Sequence, residues 1–406
     1  MDKFSNAVSN VSKSVIARIY EEIKTPYEHA VILRPSAISG NYDSDLVDNP
    51  NVFCIPGDDE YVYMTYVGHD GEGYRTGLAR SKDFVAWEKV GLILDNGVNS
   101  VGIGRWDSYN AGGYIVRDHV WGEIPTPHVN SDGKFCMTYL ASDQAGYEAG
   151  IKKAGIAFSD SIFNADGSLT QWVRYENPVL SGDAGYAYEK NTIWKMQAIY
   201  NAEENLYYGF YNAAKGPEIM CGVTSPDLIH WTRMENNPLL TVDTAPDGGV
   251  WGSSHNADAD VVKIGDYWVM HYFTSTPSHG IVDSFAVSSD LVHWTKSYIP
   301  TVERNSTWSS VYAHKPCVIK HNGVVYHYYN AVGSEGRSIA VNTSIDLSVL
   351  KRAQNLVSIV GGKQRSDLKA AINKLQMELR KPGGSIAEVE VARDSLAMLV
   401  NAIVSH

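Results

Sequence analysis

The sequence predicts an all-β protein, a five-bladed β-propeller carrying an N-terminal helix and a C-terminal helical hairpin. Three observations predict it. One motif recurs five times, aromatic-rich strands separate its copies, and no helical period runs between about 45 and 347. The expected domains are an N-terminal helix and lead-in over 1–42, the propeller over 43–350 and a helical appendage over 351–406.

The lead-in comes first. Val8, Val11, Val15, Ile16, Ile19 and Ile23 recur at helical spacing and make one apolar face. There is neither a continuous apolar stretch nor a small-residue cleavage site there, so the sequence as it stands predicts a cytoplasmic protein. No apolar run reaches the roughly 18–20 residues that a bilayer span needs, so no membrane is expected.

The motif is clearest as Ser81-Lys-Asp83-Phe84-Val-Ala-Trp87, Ser225-Pro-Asp227-Leu228-Ile-His-Trp231 and Ser288-Ser-Asp290-Leu291-Val-His-Trp294. A degraded copy, Ser159-Asp160, carries an insertion running to Trp172, and a fifth, Ser344-Ile-Asp346-Leu347, has Leu350 in the tryptophan place. Before each copy lies an aromatic strand: YVYMTY, FCMTY, LYYGFY, YWVMHY and VYHYY. A β-branched strand precedes each of these, and Gly or acidic turns join them. The units are expected near 43–105, 106–183, 184–247, 248–304 and 305–350. In each motif the Asp is expected to cap the turn into the outer strand and the Trp to pack between units, which is architecture and not catalysis.

After Gly361-Gly362 the composition changes. Ser366 with Asp367 reads as an N-cap, Pro382-Gly383-Gly384 as a stop, and Ser385 as the start of a second helix. Leu368, Ile372, Leu375 and Leu379 form one stripe, and Val389, Leu396, Leu399 and Ile403 another. These stripes need cover, and a homo-oligomer through them is one way to supply it. Cys54, Cys136, Cys221 and Cys317 are too sparse for a disulfide framework and read as free thiols.

Composition narrows the partners. Lys plus Arg number 34 against 46 Asp plus Glu, a net charge of −12, which repels phosphate backbones. No nucleic acid partner is expected. The 25 Tyr and 10 Trp suit a sugar surface instead.

In a propeller the first strand of each blade lines the axis. Aligning Val52, Val116, Ile199, Val262 and Val318, the residues four earlier are Asp48, Gly112, Lys195, Asp258 and His314. Buried charges there are costly without a task. Nearby loops add Asp43, Asp45, Trp106, Asp107, Glu189, His255, Asn256 and Asp260. Paired carboxylates beside aromatic rings match glycosidic cleavage, where one acid protonates the leaving oxygen and another carboxylate activates water or attacks. Asp107, Lys195, His255, His314 and Trp106 are expected to hold a small oligosaccharide. No cofactor is expected, because no dinucleotide or phosphate-binding glycine motif is present. His255, Asp258, Asp260 and His314 are compatible with a structural calcium ion at the axis, although no zinc or EF-hand spacing occurs.

The segments DSDLVDNPNVF, MTYVGHDGEGYRTGLARSKDFVAWEK, YGFYNA and YAHKPCVIKHNGVVYHYYNAV make residues 43–347 resemble the five-bladed propeller glycosidases of the family 43, 32, 117 and 130 type. Bacterial family 43-like proteins are the nearest of these. The resemblance implies Asp48 as general base or nucleophile, a second acid that tunes, and a later acid as proton donor. The sequence departs from that pattern at HNADADVV, which lacks a Glu-Gly-Pro acid motif, and at Asp-Asn-Pro in place of Asp-Pro. Glu189 and Asp258 are then the donor candidates: Glu189 as donor with Asp258 as tuning partner, or the two exchanged. The expected function is hydrolysis of a short oligosaccharide. The alternatives are a family 130-type phosphorylase and a non-catalytic sugar-binding propeller.

Overall fold

Each well-preserved Ser-x-Asp motif folds into the same turn. Asp83, Asp227 and Asp290 each accept two backbone N–H groups just beyond them, as at Val292 and His293 (2.9 and 2.8 Å). The next residue is buried with positive φ: Phe84 at 67°, Leu228 at 68° and Leu291 at 63°. The tryptophan then turns back, its indole N–H donating to the carbonyl of that same residue. Capping by a short carboxylate explains why Asp recurs there, and the ring explains why Trp does. Trp87 packs edge-on against Tyr328, and Trp294 against Phe210, each a residue of another strand group.

The computed structural model describes residues 11–97, 102, 104–214, 216–334 and 336–405, so Val8 of the expected helical face lies outside the described residues. The chain is mostly β, and its strands fall into antiparallel groups in chain order. The first is Leu46–Phe53, Val62–His69, Tyr74–Ser81 and Trp87–Leu94. The second is Gly112–Ile115, Phe135–Ala141 and Lys153–Ser159, with two short strands on its outer edge. The third is Ile193–Asn201, Leu206–Ala213, Ile219–Ser225 and Thr232–Arg233. The fourth is Asn256–Ile264, Tyr267–Thr276, Gly280–Ser288 and Thr295–Lys296. The fifth begins with Tyr312–His321, Val324–Gly333 and Gly336–Thr343.

The outer strand of the fifth group is Tyr27–Leu33, paired antiparallel with Gly336–Thr343. The sequence placed that segment in a lead-in ending at 42, so the boundary needs correcting. The physical reason lies in the fifth motif. Asp346 accepts the Ser348 N–H (2.8 Å) just ahead of a helix, so the chain after it does not return as a strand. The N-terminal segment supplies the missing edge, which leaves no bare strand end there.

Hydrogen bonds pass from each group to the next and back to the first. They run from Gly113 N–H to Thr76 (2.7 Å), Thr138 to the Met196 carbonyl (2.8 Å), Val261 N–H to Gln197 (2.8 Å), and Val318 N–H to Asp260 (2.8 Å). Asn49 N–H to Asn330 (2.6 Å) completes the circuit.

Helix α1, Lys13–Ile23, is N-capped by Ser12 and lays Ile16, Ile19 and Ile23 on Val262, Ile264 and Phe285 of the fourth group. At the other end come α2 (Ser348–Ile359), α3 (Gly362–Arg380) and α4 (Ile386–Val404). Helix α2 was not expected, and α3 starts at Gly362 without a side-chain cap, four residues before the predicted Ser366. Helix α4 has the Ser385–Glu388 capping box. The stripes Leu368, Ile372, Leu375, Leu379 and Val389, Leu396 are buried against Met64, Phe84, Ile319 and Tyr326. Their cover comes from within the chain, from one another first and from the first and fifth strand groups beside them. Cys54, Cys136, Cys221 and Cys317 are free thiols. No helix among the described residues is long and apolar enough to cross a membrane.

Candidate active site

Four of the first strands carry the same bulge. Register slips by one residue between Asp48 and Asn51, Ile193 and Met196, Ala257 and Asp260, and His314 and Cys317. The first bulged residue has positive φ at Asn49 (51°), Asp258 (54°) and Lys315 (65°). A bulge re-aims side chains and is common beside active sites. Here it makes Asp258 the equivalent of Asn49 and Lys315, one position beyond the expected match with Asp48. Pro50 and Pro316 are the sequence signal for it, since proline inside a central strand marks a bulge.

All five groups contribute to one cavity of about 210 Å³ above these bulges. Asp48, Lys195, His255, Asp258 and His314 line it as expected. It is also lined by residues the alignment passed over, among them Glu148, Glu218, Lys315, Arg337 and the rings of Tyr74, Tyr114 and Tyr147. Lys315 was missed because the extra residue of the bulge shifts the register, and Glu148, Glu218 and Arg337 because none lies on a first strand.

The lower part of the cavity holds fixed charges. Asp48 is buried and takes Lys315 (2.8 Å) and Arg337 (2.9 Å) on one oxygen and the Asn49 N–H (2.9 Å) on the other. Burial pushes its carboxyl up, but Lys315 and Arg337 outweigh that and hold it well below the usual carboxylate range. From the sequence, Asp48 and Asp258 are expected to look at one another across the axis as neighbouring carboxylates that keep one proton, but a cation separates them. Lys315 stands between them, 3.7 Å from Asp258. His314 donates from Nδ1 to the Asn330 carbonyl (3.1 Å), and burial holds the ring neutral. Its Nε2 is left as an acceptor.

Below this level the axis is plugged. Arg117 pairs with Asp260 (2.5 Å) and also donates to the Val52 carbonyl (2.7 Å), while Asp260 accepts from Gln197 (2.7 Å) and the Val318 N–H (2.8 Å). Every one of these contacts lies two to four residues further along its strand than a cavity residue. Asp260 is thus a tie between groups, and the cavity opens in one direction only. Among the described residues no three His, Cys, Asp or Glu are arranged to hold a metal ion.

Glu148 and Glu218 line the same cavity and are less buried than Asp48 and Asp258. Burial, with the charge of Asp258 adding to it, pushes the Glu218 carboxyl up to about 7, while an amide from Asn212 (3.0 Å) works the other way. Glu148 adds a further upward push. It sits in a loop with φ of 53°, between Gly146 and Gly150, a conformation costly for glutamate and tolerated where surrounding structure holds it.

Three expected site residues lie outside the cavity. Glu189 is fully buried, but Arg233 holds both its oxygens (2.6 and 3.0 Å) and Tyr211 donates to one (2.5 Å). Asp107 is treated alike by Arg105, Arg174 and Tyr139 (3.1 Å each). Trp106 stacks on Tyr139, its indole N–H donating to the Glu176 carbonyl (2.9 Å). Asp43, with Lys89 (2.6 Å) and Tyr66 (2.9 Å), repeats the arrangement. An acid, a cation and the last tyrosine of the aromatic strand form a recurring brace, and none of these acids lines the cavity.

Compared with solved structures, the chain is 30% identical to a protein described in a BT0996–RGII complex, with a TM-score of 0.69 over 83% of this chain and 96% of that one. It is 29% identical to a structure described as "Glycoside hydrolase", at TM-score 0.69 over 83% and 96%. The crystal structure of a thermostable family-43 glycoside hydrolase has the same fold at 17% identity and TM-score 0.50, over 76% of this chain and 91% of that one. No protein-family model matches the sequence, and no curated protein matches it.

Proposed function

Because this chain belongs to the propeller-type glycoside hydrolases and is a glycosidase, we propose that it removes one terminal sugar from a short oligosaccharide. Its five strand groups are then the blades of one propeller, a reading supported by the hydrogen bonds that run from group to group and return to the first. The observation that carries the proposal is the order of the acids by depth. In a pocket closed at one end, the bond to be cut must lie near the opening, since the departing chain has to reach solvent. Glu218 and Glu148 stand at that level, and Asp48 and Asp258 beneath it.

Glu218 is the proton donor. An acid pushed up to about 7 holds its proton near neutrality and still releases it readily. Glu148 is the second carboxylate, acting on water or on the anomeric carbon. Asp48, gripped by Lys315 and Arg337, is too weak a base to collect a proton and serves to orient the sugar. Phosphorolysis is less favoured, because two of the cavity's cations, Lys315 and Arg337, are already bound to Asp48.

Incubation with aryl glycosides, and with RGII, the partner named for one structural relative, each with and without phosphate, tests this. Release of single sugars from the ends of the saccharide, indifferent to phosphate, is expected. Internal cleavage would overturn the terminal-sugar reading, and phosphate-dependent formation of sugar phosphate would make the protein a phosphorylase.

A further inference from the structure

Two charged groups deep in the cavity have hydrogen-bonding capacity that the chain does not use. Lys195 is 6% exposed, and its ammonium forms no hydrogen bond or ion pair among the described residues, lying 4.9 Å from the ring centre of Tyr114. Asp258 is 3% exposed, and its Oδ2 has no hydrogen-bond partner, the Lys315 ammonium stopping 3.7 Å away. A buried charge without a hydrogen bond is costly, and two of opposite kind facing one cavity mark a place completed by a ligand. Burial lowers the Lys195 pKa, and the nearby charges of Asp258 and Asp260 work against this without a hydrogen bond to the ammonium.

The chemistry of the missing partner follows from what each group can do. Lysine only donates and an ionised aspartate only accepts. A hydroxyl does both, accepting from the ammonium while donating to the carboxylate. A ligand carboxylate would satisfy Lys195 and leave Asp258 repelled. A deoxy sugar would leave both groups unmatched, and a buried group left unpaired is penalised more than a neutral contact is rewarded.

We infer that Lys195 Nζ and Asp258 Oδ2 together hold a hydroxyl at the inner end of the terminal sugar, so that the cavity selects neutral hydroxylated sugars over uronic acids and over sugars deoxygenated at that position. This rests on the reading of the cavity as the glycosidase pocket, and Lys195 is here a specificity residue.

Calorimetric titration of the full chain with L-arabinose, D-xylose, D-galactose, D-mannose, D-galacturonate and D-glucuronate tests it. At least one neutral sugar should bind, with both uronates tenfold or more weaker. One monodeoxy form of the bound sugar should lose tenfold or more in the wild type, and Lys195→Met should lose as much on the parent sugar yet nothing further on that deoxy form. Uronate binding as tight as neutral binding overturns the inference, as does an unchanged affinity in Lys195→Met or the absence of binding by all six sugars. The wild-type comparison stands by itself if the variant does not fold. Turnover is read separately. Sugar binding in the expected pattern without cleavage of any glycoside would remove the acid–base reading and support this one. Cleavage with equal uronate binding would remove this one alone.

Discussion

Around the outer parts of the strand groups, Asp43, Asp107, Glu189 and Asp243 each face a cation and a tyrosine hydroxyl. In the cavity, Asp258 keeps an oxygen without a hydrogen bond and Glu218 takes a single side-chain amide. Asp43, Asp107 and Glu189 are as buried as the acids of the cavity, and it is the number of their partners that differs. A carboxylate whose oxygens are all bonded gives order to a fold, and one left incomplete is available to a substrate. Asp48 is the intermediate case, in the cavity yet bonded on both oxygens, and it is better suited to holding than to proton transfer.

The largest test of this contrast is at the cavity opening. Glu218→Gln should lower turnover about a thousandfold on natural glycosides and far less on aryl glycosides with good leaving groups. Glu148→Gln should lose about as much on both. If either variant keeps wild-type turnover on an oligosaccharide, the assignment by depth fails.

In the outer braces the expected loss is of another kind. Glu189→Gln leaves the part-buried Arg233 without its charge partner and should cost about 2 kcal/mol in denaturant unfolding, with turnover at low temperature within a few-fold of the parent. Normal stability with lost activity would return Glu189 to the chemistry.

The pH dependence separates the regions more finely. The donor is active while protonated, so turnover should fall as pH rises through about 7, and that limb should vanish in Glu218→Gln. The folded protein holds this proton more tightly than the unfolded chain. The group's contribution to stability is thus complete below the ordinary glutamate range and lost as pH rises to about 7. The smallest effect belongs to the motif turns. Asp290→Ala removes the carboxylate that accepts two backbone N–H groups at one exposed turn and should cost about 1 kcal/mol, with unchanged kinetics.

The recurring turn was legible in the sequence because its parts are local. A serine, a capping aspartate and a folded-back tryptophan lie within seven residues, and each bonds to backbone in the same stretch. For the same reason the strands, the α4 cap and the polar lining near Asp48, Lys195, Asp258 and His314 could be read from residues alone. The partners of Glu189 and Asp107 were not legible, because an acid beside tyrosines looks the same in sequence whether or not an arginine forty or more residues away completes it. Glu218 has no local signal at all, being raised by burial, by Asp258 and by Glu148. Lys315 was hidden by a one-residue bulge that changes which side chain faces the axis. Nor could the sequence show that Tyr27–Leu33 completes the fifth group, since strand pairing across some three hundred residues leaves no periodic trace. By itself the sequence determined the repeating unit, because hydrogen bonds and hydrophobic alternation act over a few residues. Which acids are matched and which stay open was decided only by tertiary structure, because charge compensation depends on distance in space.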